Sequence, residues 1–390
     1  MDNIWNHYYG VAYKLSLVCG MWPHLERRTR IFRISVLTAI MVTIVIPQLA
    51  FQYRCKGDIQ CTLTSTLGYL LSLVILVKVY TFQLNIHELK ILTEHLYVDW
   101  KMVENSEEQE IMKSYANHTR LYSLIYSVYC VIGLYILMCV CLVPFILDVI
   151  LPLNESRPML SPHPAYYFVD EKKYFIYIFI HALLGWKIVL VGVISHDCMF
   201  VSYVQHICSM FAVTGYRFKY LFYECNEMIK DTSDDFNEKY HARFTYLVQT
   251  HRETLRLAQL LENTFTKPFG LQIVIATIGL SITLQQITVE SNLLTVFRYI
   301  LYVIGQLIHL FCLNFQGQKL LDNSIQICDK IYNSPWYKLP IKMRKLLMLV
   351  MMKTYRPTFF SAAKLYVFSL ENFAMVLQTS MSYFTVLASF

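Results

Sequence analysis

The sequence predicts an all-α membrane protein with seven transmembrane helices, a cytoplasmic N-terminus, an extracellular C-terminus and helical extensions into the cytoplasm. Two observations about composition support this class. The 390 residues are 56% hydrophobic and only 16% charged, whereas soluble domains carry about 25% charged residues. The charges are also concentrated in blocks between long apolar stretches, as the positive-inside rule leads one to expect for a membrane protein.

Each apolar stretch is close to or above the length of about 20 residues that a helix needs to cross a bilayer. A cytoplasmic segment, 1–33, precedes the first one. Six stretches fall within residues 34–315, and the seventh follows a basic segment, 316–356. The expected spans are about 34–51, 63–84, 121–148, 173–214, 268–288 and 295–315, with the last inside 357–390.

Two stretches depart from a simple crossing. The segment 149–172 contains Pro152, Pro158, Pro162 and Pro164, so it cannot form one regular helix. The fourth stretch, 173–214, exceeds one crossing, and we expect it to tilt or to extend beyond the bilayer.

The distribution of basic residues sets the orientation. Lysines and arginines cluster before span one and after spans two, four and six, which places these segments in the cytoplasm. Asn154 begins a glycosylation sequon in a segment that is then extracellular, whereas the sequon at Asn117 falls on the predicted cytoplasmic side. Cys55 and Cys61 share a predicted outer loop and are candidates for a disulfide.

Other function classes find little support in the motifs. The chain has no phosphate-binding loop, HExxH or GxSxG motif, so an enzyme is not expected. The 11 cysteines form no CxxC pair, and neither a metal site nor a cofactor is expected. The basic blocks adjoin apolar stretches and do not indicate nucleic-acid binding. A metabotropic seven-helix receptor would have the opposite orientation. This chain also lacks the Asp/Glu-Arg-Tyr motif of that class.

Ionisable residues inside the apolar stretches are candidate functional groups. His196 and Asp197 lie in the fourth stretch, and Lys78 lies in the second. Because the fourth stretch overruns the bilayer, we expect the His196–Asp197 pair at its inner end, within reach of water. We expect Lys78 to extend its amine towards the membrane surface.

The last stretch, 369–390, carries hydroxyl groups along one helical face. Met375, Thr379, Ser382, Val386 and the pair Ser389/Phe390 follow the spacing of one face. Two interpretations remain open from the pattern alone. The hydroxyls either pack against a neighbouring helix or face a water-filled pore.

The C-terminal third resembles the insect odorant receptor family. The residues that carry this resemblance occur in the family's order and spacing. They are Ser334-Pro335-Trp336-Tyr337, Pro340, Arg344-Lys345, Met351-Met352-Lys353, Arg356-Pro357, Ala363-Lys364, Ser369-Leu370-Glu371 and Ser382-Tyr383-Phe384-Thr385-Val386-Leu387.

The resemblance implies a tuning subunit of a ligand-gated, non-selective cation channel in the plasma membrane of olfactory sensory neurons. Such subunits assemble with a shared co-receptor, Orco, into heterotetramers, and their cytoplasmic helix ends form an anchor domain where subunits meet. A small hydrophobic odorant binds in the outer half of the bundle, and the last span lines the pore. Alternatives are a gustatory-type receptor channel acting as a homomer and, less favoured, a metabotropic receptor.

The resemblance also implies roles for particular residues. Val386 aligns with the family's narrow gate and Ser389 and Phe390 with its outer mouth, which strengthens a pore role for Thr379 and Ser382. Tyr299 and Tyr302 match a tyrosine pair in the family's pocket. Further candidates have a plausible depth but no motif: Tyr69, Leu70, Leu73, Tyr135, Met138, Tyr177 and His181.

Overall fold

The computed structural model describes residues 2–103, 105–151, 157, 159–228 and 234–388. Within these residues the chain forms eleven α-helices, a short 3-10 helix and one β-hairpin. The helices of the N-terminal half are α1 (Asp2–Tyr8), α2 (Gly10–Cys19), α3 (Arg27–Arg54), α4 (Ile59–Leu84), α5 (Ile86–Met102) and α6 (Ser106–Ile150).

The C-terminal half contains longer helices and the hairpin. They are α7 (Phe175–Met228), α8 (Asp234–Val289), α9 (Leu293–Tyr332), the 3-10 helix Trp336–Lys338, α10 (Ile341–Thr354), β1 (Ser361–Ala362), β2 (Tyr366–Val367) and α11 (Leu370–Ala388). The charged segments continue the membrane helices, as the extent of α7, α8 and α9 shows. The predicted all-α class is confirmed.

Six helices among the described residues are long and apolar enough to cross a membrane: α3, α4, α6, α7, α8 and α9. Helix α11 has 19 residues, which is also a spanning length at about 1.5 Å per residue. Its mean hydropathy is lower because Glu371, Asn372 and Gln378 interrupt the apolar residues.

Asx residues begin several of these helices. Asp58 Oδ1 accepts hydrogen bonds from the backbone amides of Gln60 (2.9 Å) and Cys61 (3.2 Å) at the start of α4. The Asn292 side chain does the same for Leu294 N (3.0 Å) at the start of α9. Such caps satisfy backbone N–H groups that have no partner within the helix, and they fix where each helix begins.

Helix α7 is the centre of the bundle. Its residues from 194 to 215 are buried on every side, which is the pattern of a helix surrounded by other helices. Helices α2, α3, α4, α6, α8 and α9 all contact it. At its middle, Phe200 packs on Phe265 and Phe269 of α8, with ring centroids 5.2 and 4.8 Å away.

A β-hairpin, which the sequence did not lead us to expect, connects α10 to α11. Ser361 pairs with Val367 and Ala362 with Tyr366. Ala363 and Lys364 form its turn at φ angles of 52° and 59°, values that non-glycine residues seldom adopt. The turn docks on α8, where Ala363 N donates to Thr266 O at 3.0 Å.

The hairpin also packs tightly on α9 at Gly317. A Cβ atom at Gly317 would lie 2.9 Å from the carbonyl carbon of Phe368 and closer still to its oxygen and Cβ. Only glycine permits this approach of two backbones. The hairpin, and therefore the start of α11, is fixed directly to α9.

Candidate functional site

The predicted tyrosine pair lies on α9, next to an arginine that binds the segment before α7. Tyr299 is buried and Tyr302 half-buried. Next to them, Arg298 is also buried and places its guanidinium carbon 5.4 Å from the centroid of the Tyr299 ring. Its Nη1 donates to Ser161 O at 2.9 Å. We call residues 159–174, which include Ser161, the cap segment.

The cap segment is attached to α3. Tyr166 N donates to Pro47 O at 2.8 Å, and the guanidinium of Arg54 lies 4.0 Å above the Tyr166 ring. Cys55 and Cys61 form a disulfide at the same end of the bundle, in the turn between α3 and α4. These contacts give a segment without regular secondary structure a defined position.

His181, a predicted ligand-binding residue, connects the cap segment to two helices. Its Nδ1 lies 3.2 Å from the Tyr167 hydroxyl, and its Nε2 lies 3.1 Å from Thr43 Oγ1 on α3. The structure therefore places His181 in contact with the cap segment.

His163 of the cap segment is buried against α7. Trp186 Nε1 donates to His163 Nδ1 at 3.3 Å, a bond that requires Nδ1 to be unprotonated. Burial lowers the pKa of His163 to about 4, and the neighbouring His181 and the guanidinium of Arg298 act in the same direction. The imidazole is therefore neutral at physiological pH.

Beneath the cap segment lies an apolar cluster of Met138, Cys141 and Phe179, with Leu160 and Trp186 packed against it. Met138 is a predicted pocket residue, and Arg298 interacts with the Cys141 thiol. Four of the predicted ligand-binding residues thus lie around the region beneath the cap segment: Met138, Tyr299, Tyr302 and His181.

The other predicted pocket residues are distributed differently. Tyr69 and Leu70 on α4 are half-buried, and the Tyr69 hydroxyl donates to Thr66 Oγ1 of its own helix at 3.2 Å. Leu73 and Tyr135 are more than 40% exposed, and Tyr177 is 72% exposed. These three lie at the surface of the chain.

A buried polar network occupies the middle of the bundle and was not anticipated. The Lys78 amine lies 2.6 and 2.9 Å from the two oxygens of Asp197, and both residues are at most 3% exposed. The Tyr126 hydroxyl donates to Asp197 Oδ2 at 2.7 Å, and His196 Nδ1 lies 2.9 Å from Oδ1. The four contacts use the full acceptor capacity of the carboxylate.

His309 extends this network to α8 and α9. Its Nδ1 lies 2.9 Å from the Tyr126 hydroxyl, and its Nε2 lies 2.6 Å from Gln272 Nε2 and 3.3 Å from Lys78 Nζ. Because Tyr126 donates to Asp197, its oxygen accepts from Nδ1–H, and the lone pair of Nε2 then accepts from Gln272 Nε2. We call Lys78, Tyr126, His196, Asp197, Gln272 and His309 the polar network; it joins α4, α6, α7, α8 and α9.

Two expectations from the sequence are therefore wrong. The His196–Asp197 pair is not at a wet helix end, because both residues are buried in the bundle. Lys78 does not extend to the membrane surface, because Asp197 binds its amine. The sequence did contain a signal for this ion pair. Lys78 is a single base in one apolar stretch and Asp197 a single acid in another, and such residues neutralise each other when their helices meet.

Helix α11 packs on one side and is open on the other. Phe373 lies 5.7 Å from Phe311 of α9, centroid to centroid, and Ser380 is buried. Thr379 and Ser382 are exposed. Val386 lies within α11, whereas Ser389, Phe390 and the sequon residue Asn154 lie outside the described residues.

Comparison with known proteins shows which family this chain belongs to. The model of the family described as 7tm Odorant receptor matches residues 59–381. Odorant receptor 22c of Drosophila melanogaster is 24% identical over 195 residues, 50% of this chain and 48% of that protein. The odorant receptor coreceptor of Aedes aegypti is 29% identical over 146 residues, 36% of this chain and 30% of that protein. These alignments span less than half of each relative.

The fold also matches a solved structure over nearly its whole length. The insect olfactory receptor OR5 of Machilis hrabei, in complex with eugenol, aligns over 99% of both chains with a TM-score of 0.78 and 14% sequence identity. At this identity the likeness concerns the fold. The family model covers most of the chain, and the resemblance seen in the sequence is confirmed: this multi-pass membrane protein belongs to the 7tm odorant receptor family.

Proposed function

We propose that this chain is the odorant-binding subunit of a ligand-gated, non-selective cation channel. The observation that carries the proposal is the open face of α11. Thr379 and Ser382 are exposed on it, while the opposite face packs on α8 and α9. A spanning helix with an unpacked hydroxyl face suits a pore that several subunits complete.

In this proposal the pore lies along α11, with Val386 as its narrowest point and Ser389 and Phe390 at its outer mouth. Apolar constrictions close a pore by excluding water. The basic segments place the N-terminus in the cytoplasm and the end of α11 outside. The channel would reside in the plasma membrane of olfactory sensory neurons.

The odorant would bind beneath the cap segment, between the apolar cluster and the tyrosine pair. Apolar walls supply most of the binding free energy at about 25 cal/mol per Å² of buried surface, and a few polar groups orient the ligand. Tyr299, Tyr302, Met138 and His181 are the proposed contacts, with Tyr69 and Leu70 nearby on α4.

Helix α9 would connect the odorant to the pore. It carries Tyr302, then His309 of the polar network, and then Asn314, whose Oδ1 accepts from Tyr366 Oη (2.7 Å) and Ser369 N (3.2 Å). Gly317 packs on Phe368 of the hairpin. A ligand that favours one position of α9 by differential affinity would thus shift the position of α11.

The expected partner is the co-receptor Orco in a heterotetramer. Part of the support is the similarity of this chain to the Aedes aegypti coreceptor. The polar pore face is incomplete in one chain and needs further copies of such a helix.

The experiment is Val386→Ala in cells that express the chain with the co-receptor. Enlarging the narrowest point is expected to raise the basal current or alter cation selectivity. Val376→Ala, the same substitution on the side of α11 that packs against the bundle, is the matched control. Unchanged currents for Val386→Ala would place α11 of this subunit away from the gate.

A further inference from the structure

Arg298 is a buried cation beside an apolar cluster. Its side chain is 7% exposed, its Nη1 donates to Ser161 O at 2.9 Å, and its Nε has no hydrogen-bond partner among the described residues. A guanidinium has five N–H donors and does not lose its proton in proteins. Burial therefore leaves this group both charged and incompletely hydrogen-bonded.

No carboxylate neutralises this charge within the described part of the chain. Two other poorly exposed cations are each paired with a carboxylate: Lys78 with Asp197 at 2.6 Å, and Arg217 with Glu108 at 2.7 Å. No described Asp or Glu oxygen lies within 4.0 Å of the Arg298 guanidinium. Since an unpaired buried charge is strongly unfavourable, the site is suited to an anion or a strong acceptor from outside the chain.

The surroundings of Arg298 define what such a ligand must look like. The Tyr299 ring lies on one side, and the Cys141 thiol, which belongs to the apolar cluster of Met138, Cys141 and Phe179, lies on another. A polar group at the edge of apolar walls selects a molecule with one oxygen-bearing end and an apolar remainder.

We propose that Arg298 binds the oxygen end of the ligand, and that the preferred ligand is a small aliphatic molecule with a terminal carboxylate. A carbonyl oxygen, as in an ester, binds less tightly because it brings no charge. The planar guanidinium matches a carboxylate with two parallel hydrogen bonds. This inference rests on the proposed function, in that it assumes the odorant occupies the region beneath the cap segment.

The test compares three probes of similar size: octanoate, methyl octanoate and octane. Binding is measured as the rise in melting temperature of the purified complex with each probe, and opening is measured as current. The wild type is expected to bind octanoate about ten- to a hundredfold more tightly than octane, the range for hydrogen bonds to a charged group. The ester is expected to lie between them.

Three variants separate the role of Arg298 from general effects. Arg298→Gln is expected to remove most of the preference for octanoate and to leave octane affinity within about threefold. Arg298→Lys, which keeps the charge, is expected to retain part of the preference. Lys172→Gln, which removes an exposed charge from the cap segment, is expected to change nothing.

Several results would overturn the inference. One is equal affinity of the wild type for all three probes. This result is measured on the wild type alone, so it does not depend on whether a variant folds. Another is an equal loss for all probes in Arg298→Gln, which would make the arginine structural. A third is a rise in the octanoate preference in Glu155→Gln, which would mean that this carboxylate already neutralises Arg298 in the wild type.

The two readouts keep this inference distinct from the proposed function. If octanoate raises the melting temperature selectively but no probe evokes current, the channel proposal fails and the role of Arg298 stands. If octane and octanoate open the channel equally well, the channel stands and the role of Arg298 fails.

Discussion

Replacing Lys78 by Met tests whether the polar network holds the bundle together. The substitution keeps a similar side-chain length but leaves Asp197 as a buried carboxylate without its cation. Removing one partner of a buried ion pair costs about 3–5 kcal/mol. Tyr126 and His196 still donate to the carboxylate, so we expect the lower part of this range.

The assay is thermal unfolding of the purified protein in detergent. The entropy of unfolding is about 2.1 cal/mol/K per residue, so over 390 residues a loss of 3–5 kcal/mol lowers the melting temperature by about 4–6 °C. Lys90→Met is the matched control, because Lys90 is exposed on α5, and we expect it to change the melting temperature by less than about 1 °C.

The double variant Lys78→Met/Asp197→Leu separates charge from packing. It removes both ions, and we expect it to recover most of the stability that the single variant loses, since apolar replacements of a buried pair are often neutral. A stabilising role of the ion pair is refuted if Lys78→Met is no more destabilising than Lys90→Met. It is also refuted if the double variant loses as much as the sum of the two single variants.

Three further predictions concern the cap segment, the pocket and the hairpin. The folded pKa of His163 is about 4 and its unfolded pKa is about 6.5. The stability that His163 contributes is therefore full above the unfolded pKa and falls by about 1.3 kcal/mol between about pH 7.5 and 5.5. His163→Gln should remove this part of the pH dependence from the melting curves, and the part due to other buried histidines should remain. Tyr302→Ala should weaken odorant potency while a co-receptor agonist still opens the channel; parallel loss of both currents would make Tyr302 structural. Gly317→Ala should destabilise the protein by about 1–3 kcal/mol or more in the same melting assay, because the added Cβ atom would clash with the Phe368 backbone. Gly133→Ala is the control and should not destabilise the protein, because a Cβ atom added there has no neighbour within 4 Å.

The membrane helices were predictable because they depend on local composition. Each apolar stretch is bounded by charged residues, and Asx caps such as Asp58 and Asn292 mark helix starts. The hairpin was not predictable, since each strand has two residues and its turn uses Ala363 and Lys364, which carry no signal for positive φ.

The candidate site was predictable only in part, because burial depends on how helices rotate against each other. The spacing of Tyr299 and Tyr302 indicated a shared face, and α9 does turn Tyr299 inward. Tyr177 has similar chemistry but faces outward, and periodicity alone gave no reason to separate the two. Lys78 and Asp197 are 119 residues apart, so their contact is a property of the tertiary fold.

The most direct test of a heteromeric channel is voltage-clamp recording from cells that express this chain with and without the co-receptor, across an odorant panel and with G-protein signalling blocked. We predict a fast inward cation current that requires the co-receptor and is insensitive to the block. Current from this chain alone would contradict the heteromeric pore, and a response that the block abolishes would contradict the channel itself.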